Sequence, residues 1–462
     1  MVRLFKHYVP HTVLLLGVID LAVLLIAGEA AWILRFWQID GEIDPSASRI
    51  PQMITFAVTL QLAMVGVGVY GVESLQSMRF AVARLVVSIS LGVLLLSLVF
   101  FLLPAFAFWR SNLLYAMAFA LGGLTLVRVM LGHTLDGEAF KRRVLILGAG
   151  PRAARVEELA RRNGASFCVA GYVSMNDGPP AVLRAVNRAD IANLSAHVVK
   201  LKASEVVLAI EERRNALPLN DLLRIKTTGV HVNDLSSFLE RETGRVDLDS
   251  LNPSWLIFSD GFSAGRRLSS AGKRLFDIIV SAIILALTGP VILLTALLVK
   301  LESKGPAFFR QRRVGLYGQH FDILKLRSMR EDAEVGGVAV WAQKDDPRVT
   351  RIGSVIRKLR IDELPQAWSV LKGEMSFVGP RPERPQFVAD LEARLPYYAE
   401  RHMVKPGITG WAQINYPYGA STEDARHKLE YDLYYAKNYT PFLDLLILLQ
   451  TVRVVLWPEG AR

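Results

Sequence analysis

Cysteine is almost absent from this sequence, and its scarcity removes two kinds of architecture. Cys168 is the only cysteine among 462 residues, so the chain cannot form an internal disulfide. The eight histidines show no Cys/His spacing typical of a zinc site. The sequence therefore indicates neither a disulfide scaffold nor a structural zinc domain.

Acidic residues are also few relative to basic ones. The 43 acidic and 54 basic side chains give a net charge of +11, and 52% of the residues are hydrophobic. That hydrophobic fraction, with a mean hydropathy of +0.29, is high for a wholly soluble chain and indicates a membrane portion. The positive charge suits lipid headgroups or a phosphorylated substrate. We expect no nucleic-acid partner, because the basic residues flank apolar segments.

Four apolar stretches occupy the first third of the chain, at residues 12–37, 50–72, 80–103 and 113–131. Each is near the roughly 20 residues that a helix needs to cross a bilayer. The first does not resemble a cleaved signal peptide, because it is long and no small-residue cleavage pattern follows it. The sequence therefore predicts a four-helix transmembrane domain over residues 1–140.

Charges around these stretches predict their orientation. Basic residues lie at both ends of the bundle and around the second connection, namely Arg3, Lys6, Arg79, Arg84, Lys141, Arg142 and Arg143. Acidic residues lie in the first connection, namely Asp40, Glu42 and Asp44. The positive-inside rule then puts both ends of the bundle on the cytoplasmic side of the membrane. Within the first stretch, we expect Asp20 and Glu29 to be paired in the bundle or to lie near the interface, rather than to line an ion path.

Residues 141–260 read as a Rossmann-like α/β domain. An apolar strand is followed by Gly148-x-Gly150-x-x-Ala153 and a helix, and "FCVAGYV" and "EVVLAI" supply further strands. Glycines of this spacing allow a phosphate to approach a helix N-terminus, but they also suit any tight turn between strand and helix. The nearest acid for a ribose is Asp177, in a loop. We therefore favour a structural or regulatory domain over a nucleotide site.

A fifth apolar stretch, residues 275–301, follows a polar linker and contains Gly289-Pro290 at its middle. Proline inside a helix removes a hydrogen bond and kinks or breaks the helix. Basic residues flank both sides: Arg266, Arg267, Lys273 and Arg274 before, and Lys300, Lys304, Arg310, Arg312 and Arg313 after. A kinked span is one interpretation; a re-entrant helix that enters and leaves on the cytoplasmic face is the one we favour.

The fold class predicted is a membrane protein of α plus α/β type. The last domain, residues 261–462, would carry the re-entrant helix at 273–301 and a mainly α cytoplasmic part. The apolar segment 441–457 is short and carries Asp444 and Arg453. We expect it to be an interfacial or docking helix rather than a span.

Two adjacent acids stand in "KLRIDELPQAW". Asp362 and Glu363 precede a proline and a helical pattern formed by Leu364, Ala367, Trp368 and Leu371, so the stretch predicts a helix start with Asp362 at its N-terminus. Such a position suits both an ionised carboxylate and a diphosphate. Basic residues crowd the approach, namely Arg351, Arg357, Lys358 and Arg360.

Basic side chains in other compact segments are candidates for phosphate binding. Arginine grips phosphate oxygens two at a time, and lysine adds a point charge. We assign this role to Lys325, Arg327, Arg357 and Arg381, each of which has glycine, proline or an acid close by. For Arg312 and Arg313 we favour contact with lipid headgroups.

Several motifs in one order now resemble a known family. "KLRSM", "DELPQ", "GEMSFVGPRP" and "KPGITGWAQIN" lie between residues 273 and 457. In this region the chain resembles the bacterial sugar transferases, the monotopic polyprenol-phosphate phosphoglycosyl transferases. The four apolar stretches and the Rossmann-like domain upstream look like the larger, exopolysaccharide-type members.

The resemblance implies an activity, a cofactor and partners. A hexose 1-phosphate would pass from a UDP-sugar to undecaprenyl phosphate with release of UMP, and Mg²⁺ would be required. The reaction would be the first membrane step of exopolysaccharide or O-antigen synthesis. UDP-glucose and UDP-galactose are the expected donors, inner-membrane lipid is a further partner, and a homodimer is compatible with the family.

The resemblance also implies roles for residues. Asp362 would be the nucleophile that forms a phosphosugar-aspartyl intermediate, and Glu363 a Mg²⁺ ligand or a proton-handling group, so both acids are candidate metal ligands. Lys325 and Arg357 match the basic residues around the phosphates. The other candidate substrate-binding residues are Arg327, Arg360, Pro380, Arg381 and Pro382, with the Pro-Arg-Pro motif at the nucleotide end.

Two positions need separate mention. The family often has Ser-Pro at the re-entrant break, where this chain has Gly289-Pro290, so any contact from a serine hydroxyl is lost. Asp432 lies in a recurrent family segment and could act at the metal or the sugar, although a buried structural acid is at least as good an interpretation.

Three alternatives stay open at this point. One is a membrane-anchored nucleotide-sugar oxidoreductase or epimerase that works through Gly148, Gly150 and Ala153. Another is a non-enzymatic scaffold for polysaccharide export. Within the enzyme interpretation, undecaprenyl phosphate could attack directly with Asp362 as general base.

Overall fold

The computed structural model describes residues 2–4, 7–39, 46–71, 74, 78–132, 141–162, 165–175, 180–211, 217–251, 267–330, 348–417, 419 and 421–456. The chain forms two compact units, Met1–Ser250 and Leu251–Arg462. Some features of the sequence prediction lie outside the described residues: Lys6, Asp40, Glu42, Asp44, Asp177, Arg266 and the first part of the linker before residue 267. The three-domain division stays a prediction.

The first unit begins with a short antiparallel pair and four long helices. The pair is β1 (Val2–Leu4) and β2 (His7–Val9). The helices are α1 (His11–Gln38), α2 (Ser46–Val67), α3 (Met78–Leu102) and α4 (Arg110–Gly132). Each contains a stretch long and apolar enough to cross a membrane. The four predicted apolar helices are therefore confirmed.

Charged side chains inside this helical group are paired. Arg128 of α4 donates two hydrogen bonds to Asp20 of α1, at 3.0 and 2.7 Å, and the Asp20 side chain is fully buried. Arg49 of α2 lies 3.1 Å from Glu29 of α1. A charge in an apolar setting needs a partner, and these contacts confirm that both acids are paired between helices.

The rest of the first unit is a parallel α/β structure. Its strands are β3 (Arg142–Leu147), β4 (Phe167–Ser174), β5 (Ala185–Asn187), β6 (Glu205–Leu208) and β7 (His231–Asp234). Its helices are α5 (Pro151–Arg161), α6 (Leu194–Lys200), α7 (Leu219–Thr227) and α8 (Leu235–Thr243). The strand order β5-β4-β3-β6-β7 is doubly wound, with an apolar core on each side of the sheet. This confirms the predicted parallel α/β architecture.

The first helix that the structure describes in the second unit is α9 (Arg267–Glu302), which continues through Gly289 and Pro290. The predicted break therefore does not end the helix. The later part of the predicted linker, from Arg267, is helical as well, which corrects the linker's boundary. Ile292, Ala296 and Val299 of α9 enter a core cluster of the unit.

The remaining elements build the body of this unit. The hairpin β8 (Phe308–Val314) and β9 (His320–Leu326) follows α9. Then come α10 (Arg351–Lys358), α11 (Gln366–Lys372), β10 (Ser376–Val378), α12 (Pro385–Arg394), β11 (Gly407–Thr409), α13 (Trp411–Asn415), α14 (Thr422–Asn438) and α15 (Pro441–Leu456). Strands β10 and β11 pair in parallel. Helices prevail, as predicted.

The last helix docks on the unit through its charged residues. Asp444 of α15 accepts hydrogen bonds from Lys273 of α9 at 2.5 Å and from the Tyr435 hydroxyl at 2.7 Å. Arg453 donates to the Ile414 carbonyl. Leu443 and Ile447 are fully buried. The prediction of a docking helix is confirmed, and the two charges that disfavoured a membrane span are the residues that fasten it.

Candidate active site

Asp362 lies in a single 3-10 turn, Ile361–Glu363, that precedes α11. The residue before the turn, Arg360, has φ 58° and ψ 19°, a left-handed conformation that is uncommon for a residue with a side chain. Helix α11 begins only at Gln366, with Pro365 as its N-cap. The prediction that Asp362 starts the helix is therefore wrong. The Arg360 bend and the 3-10 turn, rather than a helix end, present the two acids.

Glu363 gathers three cations. Arg381 Nη2 donates to Glu363 Oε1 over 3.1 Å, and Lys325 Nζ lies 3.5 Å from the same oxygen. Arg360 Nη1 lies 3.5 Å from Oε2. Burial of Glu363 opposes its ionisation, but the charges of Arg381, Lys325 and Arg360 outweigh burial and hold its pKa at about 2. Glu363 is therefore a fixed negative charge.

Asp362 has the opposite setting. Its carboxylate forms no hydrogen bond or ion pair with another of the residues that the structure describes. Burial, and next the adjacent charge of Glu363, raise the pKa of Asp362, while Lys325, Arg357 and Arg360 oppose that rise. Two neighbouring carboxylates with pKa values pushed apart are typical of groups with different chemical roles.

Lys325 reaches this site from strand β9. It lies opposite Phe309 of β8, and alternate residues of a strand share a face. Only 18% of its side chain is exposed. Burial lowers the pKa of Lys325, and the charges of Arg381 and Arg313 lower it further against the opposing effect of Glu363. An anion bound here would stabilise the charged amine.

Arg313 lies inside the unit, on the same face of the hairpin as Lys325. It donates to the Pro382 carbonyl over 2.9 Å and to the Gln311 side chain, and 14% of its side chain is exposed. Arg312, one residue earlier, points to the opposite face and is exposed. The expectation that Arg313 contacts lipid headgroups is therefore wrong, because its guanidinium is occupied within the protein.

Arg327 is placed away from the two acids. Its side chain is buried and donates to the carbonyls of Ser303 and Lys304, at 2.8 and 2.5 Å. These groups follow the end of α9, where helix carbonyls lack partners within the helix. The structure thus uses Arg327 to hold the end of α9, and its geometry gives no support to the expected substrate contact.

The Pro380-Arg381-Pro382 segment has no regular secondary structure. It brings the Arg381 side chain, which is 35% exposed, to Glu363. Arg357, in the last turn of α10, is near enough for its charge to act on Asp362. The structure thus brings together five of the predicted residues around Asp362: Glu363, Lys325, Arg357, Arg360 and Arg381.

Asp432 of α14 is buried beneath this segment. It accepts a 2.6 Å hydrogen bond from Arg401, and both side chains are less than a tenth exposed. A buried ion pair of this kind is typical of a structural acid. The structure favours that interpretation over direct contact with a metal or a sugar.

Sequence reasoning missed Arg401 and Asp277. Arg401 stands four residues before the recognised "KPGITGWAQIN" motif. Asp277 in α9 is buried and accepts hydrogen bonds from the Phe377 amide and the Ser376 hydroxyl, both at 3.1 Å. An acid within an apolar stretch was the signal that could have drawn attention to Asp277.

The metal-binding capacity of the site rests on Asp362 and Glu363. Within the described residues there is no group of three or more His, Cys, Asp or Glu side chains suited to a metal ion. Mg²⁺ commonly takes one or two carboxylates and completes its shell with water and substrate phosphates. The Asp362 carboxylate suits this coordination, because no other described residue binds it. Glu363 Oε1 fits less well, because two cations already hold it.

The Gly148 turn shows a different use of its residues. Gly148 has φ 126°, and a Cβ there would lie 2.6 Å from the Ala209 carbonyl oxygen. The basic residues of α5 are engaged locally: Arg152 donates to the Ile210 carbonyl, and Arg155 to Asp247. The geometry accounts for Gly148 by close packing of β3 and β6, in line with the structural role that we favoured.

Comparison with known proteins assigns the class. A family model described as bacterial sugar transferase matches residues 268–458, the stretch that carries the whole site. The chain is 45% identical over 193 residues to a UDP-glucose:undecaprenyl-phosphate glucose-1-phosphate transferase of Caulobacter vibrioides, an alignment that covers 41% of this chain and 71% of that protein. The chain belongs to the bacterial sugar transferase family.

Further relatives differ in length and in the sugar that they are named for. A UDP-N-acetylgalactosamine-undecaprenyl-phosphate N-acetylgalactosaminephosphotransferase of Aeromonas hydrophila is 45% identical over 241 residues, which is 52% of this chain and 56% of that protein. A UDP-glucose:undecaprenyl-phosphate glucose-1-phosphate transferase of Xanthomonas campestris pv. campestris is 45% identical over 186 residues, 40% of this chain and 38% of that protein. The matched region thus spans about half of the Aeromonas protein and less of the Xanthomonas one.

Proposed function

We propose that this chain transfers a hexose 1-phosphate from a UDP-sugar to undecaprenyl phosphate and releases UMP, as the first membrane step of exopolysaccharide or O-antigen synthesis. The observation that carries the proposal is the contrast between the two acids. Asp362 has no hydrogen bond or ion pair with another described residue, while Glu363 is held by Arg381, Lys325 and Arg360. A carboxylate nucleophile beside fixed cations suits attack on a diphosphate.

In the first step, an Asp362 carboxylate oxygen forms a bond to the sugar-bearing phosphorus of the donor. The bond from that phosphorus to the bridging oxygen breaks, and UMP leaves with the electron pair. Lys325, Arg357 and Arg381 stabilise the charge that spreads over the phosphoryl oxygens. The product on the protein is a phosphosugar-aspartyl ester.

In the second step, a phosphate oxygen of undecaprenyl phosphate forms a bond to the same phosphorus. The bond to the Asp362 oxygen breaks, and the carboxylate returns with its electron pair. Neither step needs a proton if both nucleophiles are ionised. The raised pKa of Asp362 indicates a more basic carboxylate than an exposed aspartate, and basicity favours attack on phosphorus.

Mg²⁺ would be held by Asp362, with a lesser share for Glu363 Oε2, and by the donor phosphates. When bound, the ion supplies positive charge against the diphosphate. Removal of divalent ions with EDTA should abolish UMP release, and Mg²⁺ should restore it. Full activity after EDTA treatment would exclude a divalent cofactor.

The sugar is proposed from the family and from relatives. Glucose and galactose are the expected hexoses, and the printed names of the relatives add N-acetylgalactosamine to the panel worth testing. The donor panel should therefore contain UDP-glucose, UDP-galactose and UDP-N-acetylgalactosamine. The homodimer remains a prediction.

For the membrane, we propose four spanning helices, α1 to α4, and a re-entrant α9, with the catalytic unit on the cytoplasmic face of the inner membrane. Support for the re-entrant path comes from the two ends of α9. At one end, Lys273 and Arg274 donate to the carbonyls of Val378 and Val370, at 3.1 and 2.7 Å. At the other end, Arg327 donates to Lys304.

Both ends of α9 are thus fastened to the same folded unit. From residue 273 to residue 304, a straight helix would extend about 46 Å. That length exceeds the roughly 30 Å of a bilayer core, so a straight membrane helix would place its two ends on opposite faces. After α9, the described residues contain no helix that could carry the chain back across. A bend near Gly289-Pro290 with both ends on one face accommodates these contacts, because proline commonly kinks a helix.

The experiment that tests the function measures UMP release by purified protein with Mg²⁺, undecaprenyl phosphate in micelles and each donor of the panel. Wild type should release UMP from one or two sugars, and Asp362→Asn from none. Asp390→Asn is the matched control, because Asp390 is an exposed acid of α12 paired with Arg394. No release by folded wild type from any sugar would contradict the proposal.

A further inference from the structure

The Pro380–Glu383 segment is held by its backbone carbonyls. Prolines at 380 and 382 remove two amide donors, so the segment cannot join a regular ladder. Instead, four consecutive carbonyls accept hydrogen bonds from four other places. The Gly407 amide binds Pro380, Arg401 binds Arg381, Arg313 binds Pro382 and the Val314 amide binds Glu383, all between 2.9 and 3.0 Å.

Arg401 is the donor to the residue whose side chain reaches the site. Its Nη2 lies 3.0 Å from the Arg381 carbonyl oxygen and 2.6 Å from Asp432 Oδ2. Its Nη1 donates to the Tyr398 hydroxyl over 2.7 Å, and the guanidinium lies 5.1 Å from the Tyr398 ring centre. Because Arg401 and Asp432 are almost fully buried, the guanidinium has little freedom to move.

We infer that Arg401, Asp432 and Tyr398 form a positioning group for Arg381. Asp432 and Tyr398 fix the Arg401 guanidinium, Arg401 fixes the backbone of Arg381, and the Arg381 side chain is thereby aimed at Glu363 and at the place of the donor diphosphate. This role rests on the proposed function, because it is expressed through the binding of a diphosphate by Arg381. A displacement of about 1 Å at a phosphate-binding group is enough to weaken catalysis strongly.

The inference predicts coupling between distant side chains. Among the residues that the structure describes, hydrogen bonds link Asp432 Oδ2 to the site through Arg401 and the Arg381 backbone. A variant that loosens Arg401 should therefore lower kcat/KM only while Arg381 has a side chain able to bind phosphate. An acid that merely supports folding would do the same harm with or without that side chain.

A double-mutant cycle tests this coupling. The variants are Arg381→Gln, Asp432→Asn and both together, and the readout is kcat/KM for the UDP-sugar that wild type uses. We expect Asp432→Asn alone to lower kcat/KM by about tenfold or more, mainly through KM, and to add less than about threefold in the Arg381→Gln background. The inference would be overturned if the double variant lost kcat/KM by the product of the two single losses, or if Asp432→Asn alone left kcat/KM unchanged.

A milder variant covers the case in which Asp432→Asn does not fold. Tyr398→Phe removes one acceptor of Arg401 and keeps both charges, so it should lower kcat/KM by about threefold, again only when Arg381 is present. Glu205→Gln is the matched control for loss of a buried acid, because Glu205 pairs with Arg142 and Arg241 in the first unit. It should leave kcat/KM unchanged, and an equal loss there would overturn the assignment.

Hydrogen exchange provides a readout that needs no activity. The amides of Val314 and Gly407 donate to the Glu383 and Pro380 carbonyls, so they should exchange about tenfold faster in Asp432→Asn or Tyr398→Phe. The Leu147 and Val207 regions of the first sheet should not change. Unchanged exchange at Val314 and Gly407 would overturn the inference, whereas absence of UMP release in wild type alone would count against the proposed function.

Discussion

Two turns in this chain look suited to phosphate by sequence, and the structure separates them. At the first, Gly148 allows β3 to approach β6, and Arg152 and Arg155 of the next helix are engaged by nearby acceptors. At the second, Asp362 has no hydrogen bond or ion pair with another described residue, and three cations meet at Glu363. Glycine spacing reports on backbone geometry, whereas chemistry on a diphosphate needs charged side chains gathered in one place.

The largest effect should follow from Asp362→Asn. The amide cannot act as an anionic nucleophile or as a general base, so UMP release should fall by on the order of 10⁴-fold or more. At the first turn, Gly150→Ala changes a residue of the glycine motif and should leave UMP release unchanged. The comparison would break if Gly150→Ala lost activity while Asp362→Asn retained it.

Lys325→Met should come next. It removes one of the cations at Glu363 with little change in length, and loss of one such charge typically costs about 10²- to 10³-fold in turnover. Lys372→Met is the matched control, because Lys372 is a half-exposed lysine at the end of α11. Steady-state UMP release measures both, and equal losses would show that general positive charge, and not the site, is responsible.

Gly148→Ala should act on stability and not on chemistry. Its Cβ would meet the Ala209 backbone, and φ 126° is strained for any other residue, so the first unit should lose about 2 kcal/mol or more. Thermal unfolding of Gly148→Ala and Gly150→Ala measures the difference. UMP release per folded molecule should stay at the wild-type value. A lower UMP release per folded molecule would indicate that the Gly148 turn takes part in the reaction.

The smallest effect concerns the pH dependence. The charge of Glu363 helps to raise the pKa of Asp362, so Glu363→Gln should lower that pKa. Because Asp362 reacts when ionised, the acidic limb of the pH profile of kcat/KM should move to lower pH in Glu363→Gln. A limb that stays in place, or that moves to higher pH, would contradict this assignment of charges.

Much of the fold could be predicted because it depends on local patterns. The apolar stretches became α1 to α4, and alternation of strands and helices became a doubly wound sheet. The family motifs also predicted which charged residues meet: Asp362, Glu363, Lys325 and Arg381 are separated by up to 56 positions and still converge. Such convergence follows from the resemblance and not from periodicity.

The features that were missed depend on tertiary contacts or on single dihedral angles. No local signal marks Arg360 as left-handed, so the sequence pattern predicts a helix start at Asp362, whereas α11 begins at Gln366. Arg327 looked like the other phosphate-binding arginines, but the end of α9 takes up its hydrogen bonds. Strand alternation alone puts Arg312 and Arg313 on opposite faces, but which of them shares the face of Lys325 depends on the register of the hairpin.

The most direct test is the intact mass of the protein after incubation with the UDP-sugar and Mg²⁺ in the absence of undecaprenyl phosphate, followed by mapping of the modified peptide. The account predicts a hexose-phosphate adduct on Asp362, with one UMP released per adduct, that disappears when undecaprenyl phosphate is added. Rapid turnover with lipid present but no adduct in its absence would contradict the covalent role of Asp362 and favour direct attack by the lipid phosphate.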